Sequence, residues 1–378
     1  MTGYLGRRIY LDWNATAPLR PAARAAMLAA MEVVGNPSSV HAEGRSAKAI
    51  LNRGREQVAG LLGCRLEELV FTCGATEAVN QVLAQEWERL VLSAFEHDCV
   101  QKGAEASGRP MKVVTEAEEA RRAALAPAGS AGDGGRTLIA WMAACGETGR
   151  VMEVDAAIAA EAGAPGRVAV LSDQTQAAGR LAAGGRRPSY AALSAHKLGG
   201  PKGVGALILR EGAALAPLLR GGGQERGRRA GTENVIGIAG FGAAAEAAKR
   251  DLEAGIWEGV ERLRDRLEER LADAAPDLII LGREVPRLPN TSCFAVRGWK
   301  GETQVMQMDL AGFAVSAGAA CSSGKVGPSR VLKAMGCDDL TASSAIRVSL
   351  GPTTTEAEVM AFADAWIELL GRFRRRAA

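Results

Sequence analysis

A succession of short apolar runs, each broken by a cluster of small and polar residues, limits what this chain can fold into. Residues 69–72, 90–95, 111–115, 137–144, 167–171 and 190–194 have the length and composition of strands, and helical patterns separate several of them. Strand and helix in alternation build a parallel α/β sheet, in which ligands gather outside the carboxyl ends of the strands. Here those ends carry Cys73-Gly74-Ala75-Thr76-Glu77, Glu96-His97-Asp98, Cys145-Gly146-Glu147-Thr148-Gly149, Ser172-Asp173-Gln174-Thr175-Gln176 and Ser194-Ala195-His196-Lys197. Polar groups repeated at strand ends converge on one crevice.

Length and composition set the frame around that sheet. A chain of 378 residues exceeds what one core usually supports. We expect a large domain over residues 13–254 and a small one made of 1–12 and 255–378, with a change of domain near Ala254-Gly255, where short strands later return in an α+β pattern. Hydrophobic residues at 47% and charged residues at 24% exclude a disordered chain. No segment has the uninterrupted apolar length of a bilayer span, and residues 1–8 lack an apolar signal core, so the expected location is the cytoplasm and no membrane partner is expected. A net charge of +3 without a basic stripe argues against a nucleic-acid partner. Seven cysteines, an odd number with no C-x-x-C pair, fit neither a disulfide framework nor a metal site. Cys64, Cys73, Cys99, Cys145, Cys293 and Cys337 read as small core or turn residues.

The chemistry centres on Lys197. It is delivered at the end of an apolar run and followed by the Gly199-Gly200-Pro201-Lys202-Gly203 turn. Ser194 and His196 supply donors suited to an anionic oxygen, and an amine held among donors and cations loses its proton more easily. We read Lys197 as the covalent anchor of an aldehyde cofactor, pyridoxal phosphate. Strand, glycine turn and helix start at Gly74-Ala75-Thr76 form a phosphate receptor, with an ordinary capping box as the alternative. Asp173 either pairs with a protonated pyridine nitrogen or caps a turn. His97 is a ligand or a satisfied edge histidine, and His41 is a ligand or, as we read it, a loop histidine. The glycine- and arginine-rich loop 221–232, ending in Thr232, faces an anion or partner, or is simply solvated. Residues 315–328 are a run of small residues around Cys321 with Lys325 nearby, which makes Cys321 an accessible thiol or a packed turn residue. Arg347 is a bidentate carboxylate clamp or a rim salt-bridge partner.

Taken in this order, the residues resemble the pyridoxal-phosphate cysteine desulfurases of the NifS and IscS kind, class-V aminotransferase relatives of fold type I. The resemblance is carried by Tyr10-Leu11-Asp12, Gly74-Ala75-Thr76-Glu77, Glu96-His97, Asp173-Gln174-Thr175-Gln176, Ser194-Ala195-His196-Lys197, the 221–232 loop, Ser316 to Ser323 and Ser344-Ala345-Ile346-Arg347. It implies an α/β large domain with a mostly parallel seven-stranded sheet and a smaller α+β C-terminal domain. It further implies that Lys197 anchors the cofactor, with Asp173 at the ring nitrogen and Gln176 at the phenolic oxygen. Ala75, Thr76, Ser194 and His196 hold the phosphate, Thr232 reaches in from the other subunit of a homodimer, and His97 stacks on the ring with a catalytic part. Arg347 grips the carboxylate of L-cysteine, and Cys321 takes the sulfur as a persulfide while alanine leaves. A sulfur-acceptor protein, such as an iron–sulfur scaffold or a thiolation protein, follows. One departure concerns Gly146, which stands where the family usually has an asparagine before Glu147-Thr148-Gly149. The rival readings are a lyase or aminotransferase acting on another amino acid, and a weakened sulfur-relay or scaffold protein.

Overall fold

The computed structural model describes residues 8–126, 135–182, 185, 187–317 and 328–377. Two compact units divide the chain, one made of residues 17–144 and 152–252, the other of 1–16, 145–151 and 253–378. The strands in chain order begin with β1 (Ile9–Tyr10), which belongs to the second of these units.

The larger unit is organised by β2 (Leu69–Thr72), β3 (Arg89–Ser93), β4 (Met111–Val114), β5 (Thr137–Ala140), β6 (Val168–Asp173), β7 (Tyr190–Ser194) and β8 (Gly205–Leu209). They form one seven-stranded sheet in the order β2-β8-β7-β6-β5-β3-β4. Every pairing is parallel except those of β8, which runs antiparallel to both β2 and β7. The expected mostly parallel α/β architecture is therefore present. Side chains of a strand alternate between faces, and the two cores follow that alternation. Leu69, Phe71, Leu193 and Ile208 pack with Val58, Ile238 and Phe241 from the helices Ala42–Leu62 and Val235–Glu253. Val70, Ala192, Leu207 and Leu209 pack on the other face with Val79, Val82 and Val100 from Ala75–Leu83 and Asp98–Ala106. Both faces are covered, so the strands are apolar on both sides, as their composition requires.

Two local devices position the strand ends. A Cβ on Gly205 would lie 2.5 Å from the Leu193 carbonyl oxygen and 2.6 Å from Gly74 Cα, so only glycine lets the Gly74 turn pass this close to β8. Glu225 is buried, and both its oxygens are used: Oε1 accepts from Arg55 Nη2 at 2.6 Å and Oε2 from the Phe71 amide at 3.0 Å. Glu225 and Arg226 both adopt left-handed backbone, at φ 49° and 57°, a conformation that costs free energy in a non-glycine residue and is held here by the buried ion pair. The loop that leads to Thr232 is thereby fastened to the strand that leads to Gly74.

The second unit adds β9 (Ile279–Ile280), β10 (Thr291–Ala295), β11 (Phe313–Ala314), β12 (Ser316–Ala317) and β13 (Ala345–Ser349). β12, β13, β10 and β9 form an antiparallel sheet in that order, and β1 pairs in parallel with β11. Its helices, among them Ile256–Ala274 and Glu356–Ala377, complete an α+β unit. Trp366 packs between Phe294 and Trp299, each with ring centroids 5.4 Å away. Of the six cysteines read as core or turn residues, Cys145 and Cys293 are buried and Cys73 is exposed. No helix among the described residues is long and apolar enough to cross a membrane.

Candidate functional site

The larger unit brings several of the expected residues to the carboxyl ends of neighbouring strands. β7 ends at Ser194, and a single 3-10 turn, Ala195–Lys197, carries His196 and Lys197 beyond it. Ser194 Oγ accepts from the Ala75 amide at 2.8 Å, so the first N–H of the helix Ala75–Leu83 is used and the Ser194 hydroxyl proton is left to donate elsewhere. The next amides of a helix have no partner within it and carry the positive end of its dipole. Thr76 is exposed at this helix start.

The capping alternative is half realised. Gly74 is the cap residue and has no side chain to offer, but Glu77 reaches back one residue further, its Oε2 accepting from the Cys73 amide at 2.7 Å. Its Oε1 pairs with Arg229 Nε at 3.0 Å. Burial works against the Glu77 charge, yet the bonds from Arg229 and Cys73 outweigh it and hold the carboxyl below its ordinary range. The turn is thus pinned through its amides, that of Cys73 by Glu77, that of Gly74 by Thr72 Oγ1 and that of Ala75 by Ser194 Oγ.

Asp173 closes β6, in register with Ala192 of β7, and is buried. Its Oδ1 accepts from the Thr175 amide at 2.8 Å in an Asx turn. Gln176, three residues on, takes a hydrogen bond from Arg180, and Arg180 also bonds the Lys197 carbonyl. Thr175 Oγ1 is buried without a partner beside these groups. His97 is exposed and caps the helix Asp98–Ala106, its Nδ1 accepting from the Cys99 amide at 3.1 Å. That bond places the proton of the neutral ring on Nε2. His196 is half-buried, and burial together with Lys197 and Lys202 lowers its pKa to about 4, so at neutral pH it offers a hydrogen bond and no charge. Thr232 is exposed on the loop before the helix Val235–Glu253. His41 caps the helix Ala42–Leu62 and pairs with Glu43, the loop role expected of it.

The second unit holds Arg347, which makes the salt bridge that one of its two readings expected, in a buried position. Arg347 lies in β13 at 4% exposure, its Nη2 donating to Asp12 Oδ1 at 2.7 Å and its Nη1 to the Gly146 carbonyl at 3.0 Å. Asp12 Oδ2 is occupied in turn by Ser316 Oγ at 2.8 Å. The Arg347 Nε is buried without a partner. Gly146 acts through its backbone, its carbonyl also taking a bond from Asn14 Nδ2 at 3.0 Å. Asp12 was not singled out from the sequence as a partner of Arg347, nor Asn14 as a partner of the Gly146 carbonyl that Arg347 also bonds. Their signal was weak, an acid and an amide far from Arg347 along the chain. Cys321 lies outside the described residues.

Glu147, beside Gly146, is a half-buried ionisable group of this cluster. Its Oε1 is enclosed without a partner, and burial raises its pKa from 4.5 to about 7 against the opposing pull of Ser329, Arg347 and Arg330. The folded protein therefore holds a proton that the unfolded chain releases above pH 4.5, and stability from this group falls as pH rises from about 4.5 to about 7. Glu147→Gln is expected to remove that fall, measured as the difference in urea midpoint between the two proteins from pH 4.5 to 7.5. Parallel curves would refute it.

Among the described residues no cluster of histidine, cysteine and acidic side chains suits a metal ion. The aminotransferase class-V family matches residues 9–362. A cysteine desulfurase of Cereibacter sphaeroides is 42% identical over 374 residues, which cover 93% of each chain. An IscS-like cysteine desulfurase of Mycobacterium tuberculosis is 36% identical over 392 residues, or 97% of this chain and 98% of that one. Among solved structures, a NifS-like protein superposes with a TM-score of 0.85 at 31% identity, covering 96% of this chain and 99% of its own. A NifS-like protein from Rickettsia africae gives a TM-score of 0.86 at 29% identity, covering 97% and 100%.

Proposed function

We infer that this chain, which belongs to the aminotransferase class-V family, is a cysteine desulfurase working with pyridoxal 5′-phosphate. The observation that carries the reading is the Ser194–Ala75 hydrogen bond, which joins the lysine-bearing strand end to the glycine turn and helix start in one place. The donor set suits the cofactor: a lysine amine, a helix N-terminus whose dipole favours an anion, a carboxylate oriented by Thr175, and the unpartnered Thr175 hydroxyl. When bound, the cofactor supplies a ring that accepts the electrons released at the substrate α-carbon and so weakens the bond from Cβ to sulfur.

The protein's own groups do the rest. Lys197 anchors the cofactor and, once displaced by the substrate amine, takes the α-proton at Nζ. Asp173 keeps the ring nitrogen protonated, and Gln176 bonds the phenolic oxygen. Ser194, His196 and Thr76 donate to the phosphate together with the helix amides, while Ala75 acts by fixing Ser194, and Thr232 of a second subunit completes the ring of donors. His97 covers the ring face and offers its Nε2 proton. Arg347 binds the substrate carboxylate, for which its unpartnered Nε is suited. The Cys321 thiolate attacks the substrate sulfur, the Cβ–S bond breaks, its electron pair is protonated as alanine forms, and Cys321 keeps the sulfur as a persulfide. The persulfide then passes to an acceptor protein in iron–sulfur cluster assembly or thiolation, in a homodimer working in the cytoplasm.

Alanine formation from L-cysteine with a thiol reductant tests this, comparing the wild type with Cys321→Ser while the absorbance of bound cofactor is recorded. Both proteins are expected to bind cofactor, with the variant losing alanine formation by about a hundredfold or more. Cofactor absorbance without alanine would favour the lyase, aminotransferase or relay readings, of which Gly146, lacking the family side chain, speaks for a weakened relay.

A further inference from the structure

The turn after β6 and the turn that carries Lys197 are fastened together by one side chain that the sequence did not single out. Arg180 is 5% exposed. Its Nη1 donates to the Gln176 carbonyl at 3.3 Å and to Gln176 Oε1, and its Nη2 donates to the Lys197 carbonyl at 3.2 Å. A guanidinium presents its N–H groups in a rigid planar fork, so one side chain fixes the spacing of the two turns. The bond to Oε1 also sets the polarity of the Gln176 amide. In the opposite flip an N–H2 would face a guanidinium N–H, two donors with no acceptor between them.

We propose that Arg180 is a positioning residue that locks the Gln176 side chain with its N–H2 as the group offered to the cofactor's phenolic oxygen, at a spacing tied to the Lys197 turn. The proposal rests on the desulfurase reading and on the role given there to Gln176. An N–H donor at the phenolic oxygen stabilises its negative charge and weakens its hold on the proton it shares with the Lys197 nitrogen. Losing the donor raises the pH at which that proton leaves.

The test is a pH titration of the cofactor absorbance in the holoenzyme, for the wild type, Arg180→Met, Gln176→Ala and the double variant. Arg180→Met is expected to raise the midpoint by roughly half to one pH unit, Gln176→Ala to raise it similarly, and the double variant no further than Gln176→Ala alone. A midpoint unchanged in Arg180→Met, or shifts that add in the double variant, would overturn the proposal while leaving the function intact. Should Arg180→Met not fold, Gln176→Glu keeps an acceptor for Arg180 while replacing the N–H donors with a charged carboxylate oxygen, and both changes act to raise the midpoint. Its midpoint is expected to rise, and an unshifted one overturns the proposal. A wild type that binds no cofactor overturns the desulfurase reading and this proposal with it.

Discussion

Lys197→Ala is expected to lower alanine formation from L-cysteine by roughly 10⁴-fold or more, because one amine both anchors the cofactor and moves the substrate α-proton. The fold should survive the change. Lys197 sits on a half-buried turn, and its contact with Arg180 is made by the backbone carbonyl, which alanine keeps. The variant should still bind cofactor, with an altered absorbance because the covalent bond is gone, and a small primary amine in the buffer should restore part of the proton transfer. Retention of more than a few per cent of wild-type turnover would remove Lys197 from the mechanism.

The second large effect is expected at Arg347. Arg347→Ala removes the carboxylate partner and leaves the half-buried Asp12 side chain with Ser316 as its remaining partner among the described residues. Breaking a fully buried ion pair from one side costs about 3–5 kcal/mol, and less where one partner keeps some water as Asp12 does, so a modestly lowered urea midpoint should accompany a fall of roughly 10²–10³ in kcat/KM. Arg347→Lys is not expected to rescue, since a single ammonium does not span Asp12 Oδ1 and the Gly146 carbonyl with the planar fork that holds them now. A variant that loses stability with kcat/KM intact would make Arg347 a structural group only.

Much of the larger unit was legible along the chain. Strand-length apolar runs gave the sheet, because strands buried on both faces are apolar throughout, and the polar clusters at their ends marked where a ligand would lie. Boundaries moved slightly, as where β6 extends to include Asp173 itself. Arg347 was legible as a carboxylate clamp or a rim salt-bridge partner, and the structure shows it in a salt bridge with Asp12 at a buried position. Arg180 was not legible at all, since an arginine after a small-residue turn has no local mark of the carbonyl groups it will meet.

The sequence by itself determined the alternation of strand and helix, the lysine, acid and glycine turn set at the strand ends, and the family to which they point. Those are local or ordered along the chain, and hydrophobic period and turn chemistry carry them. Only the tertiary structure decided that Ala75 spends its amide on Ser194, that Glu225 ties the 221–232 loop to β2, that Cys145 to Val151 group with the terminal unit, and that Arg180 joins Gln176 to Lys197. Each of these is a hydrogen bond or a packing contact between residues distant in sequence. Its partner is chosen by the need to satisfy a buried polar group once the chain has closed, and no local pattern records that choice.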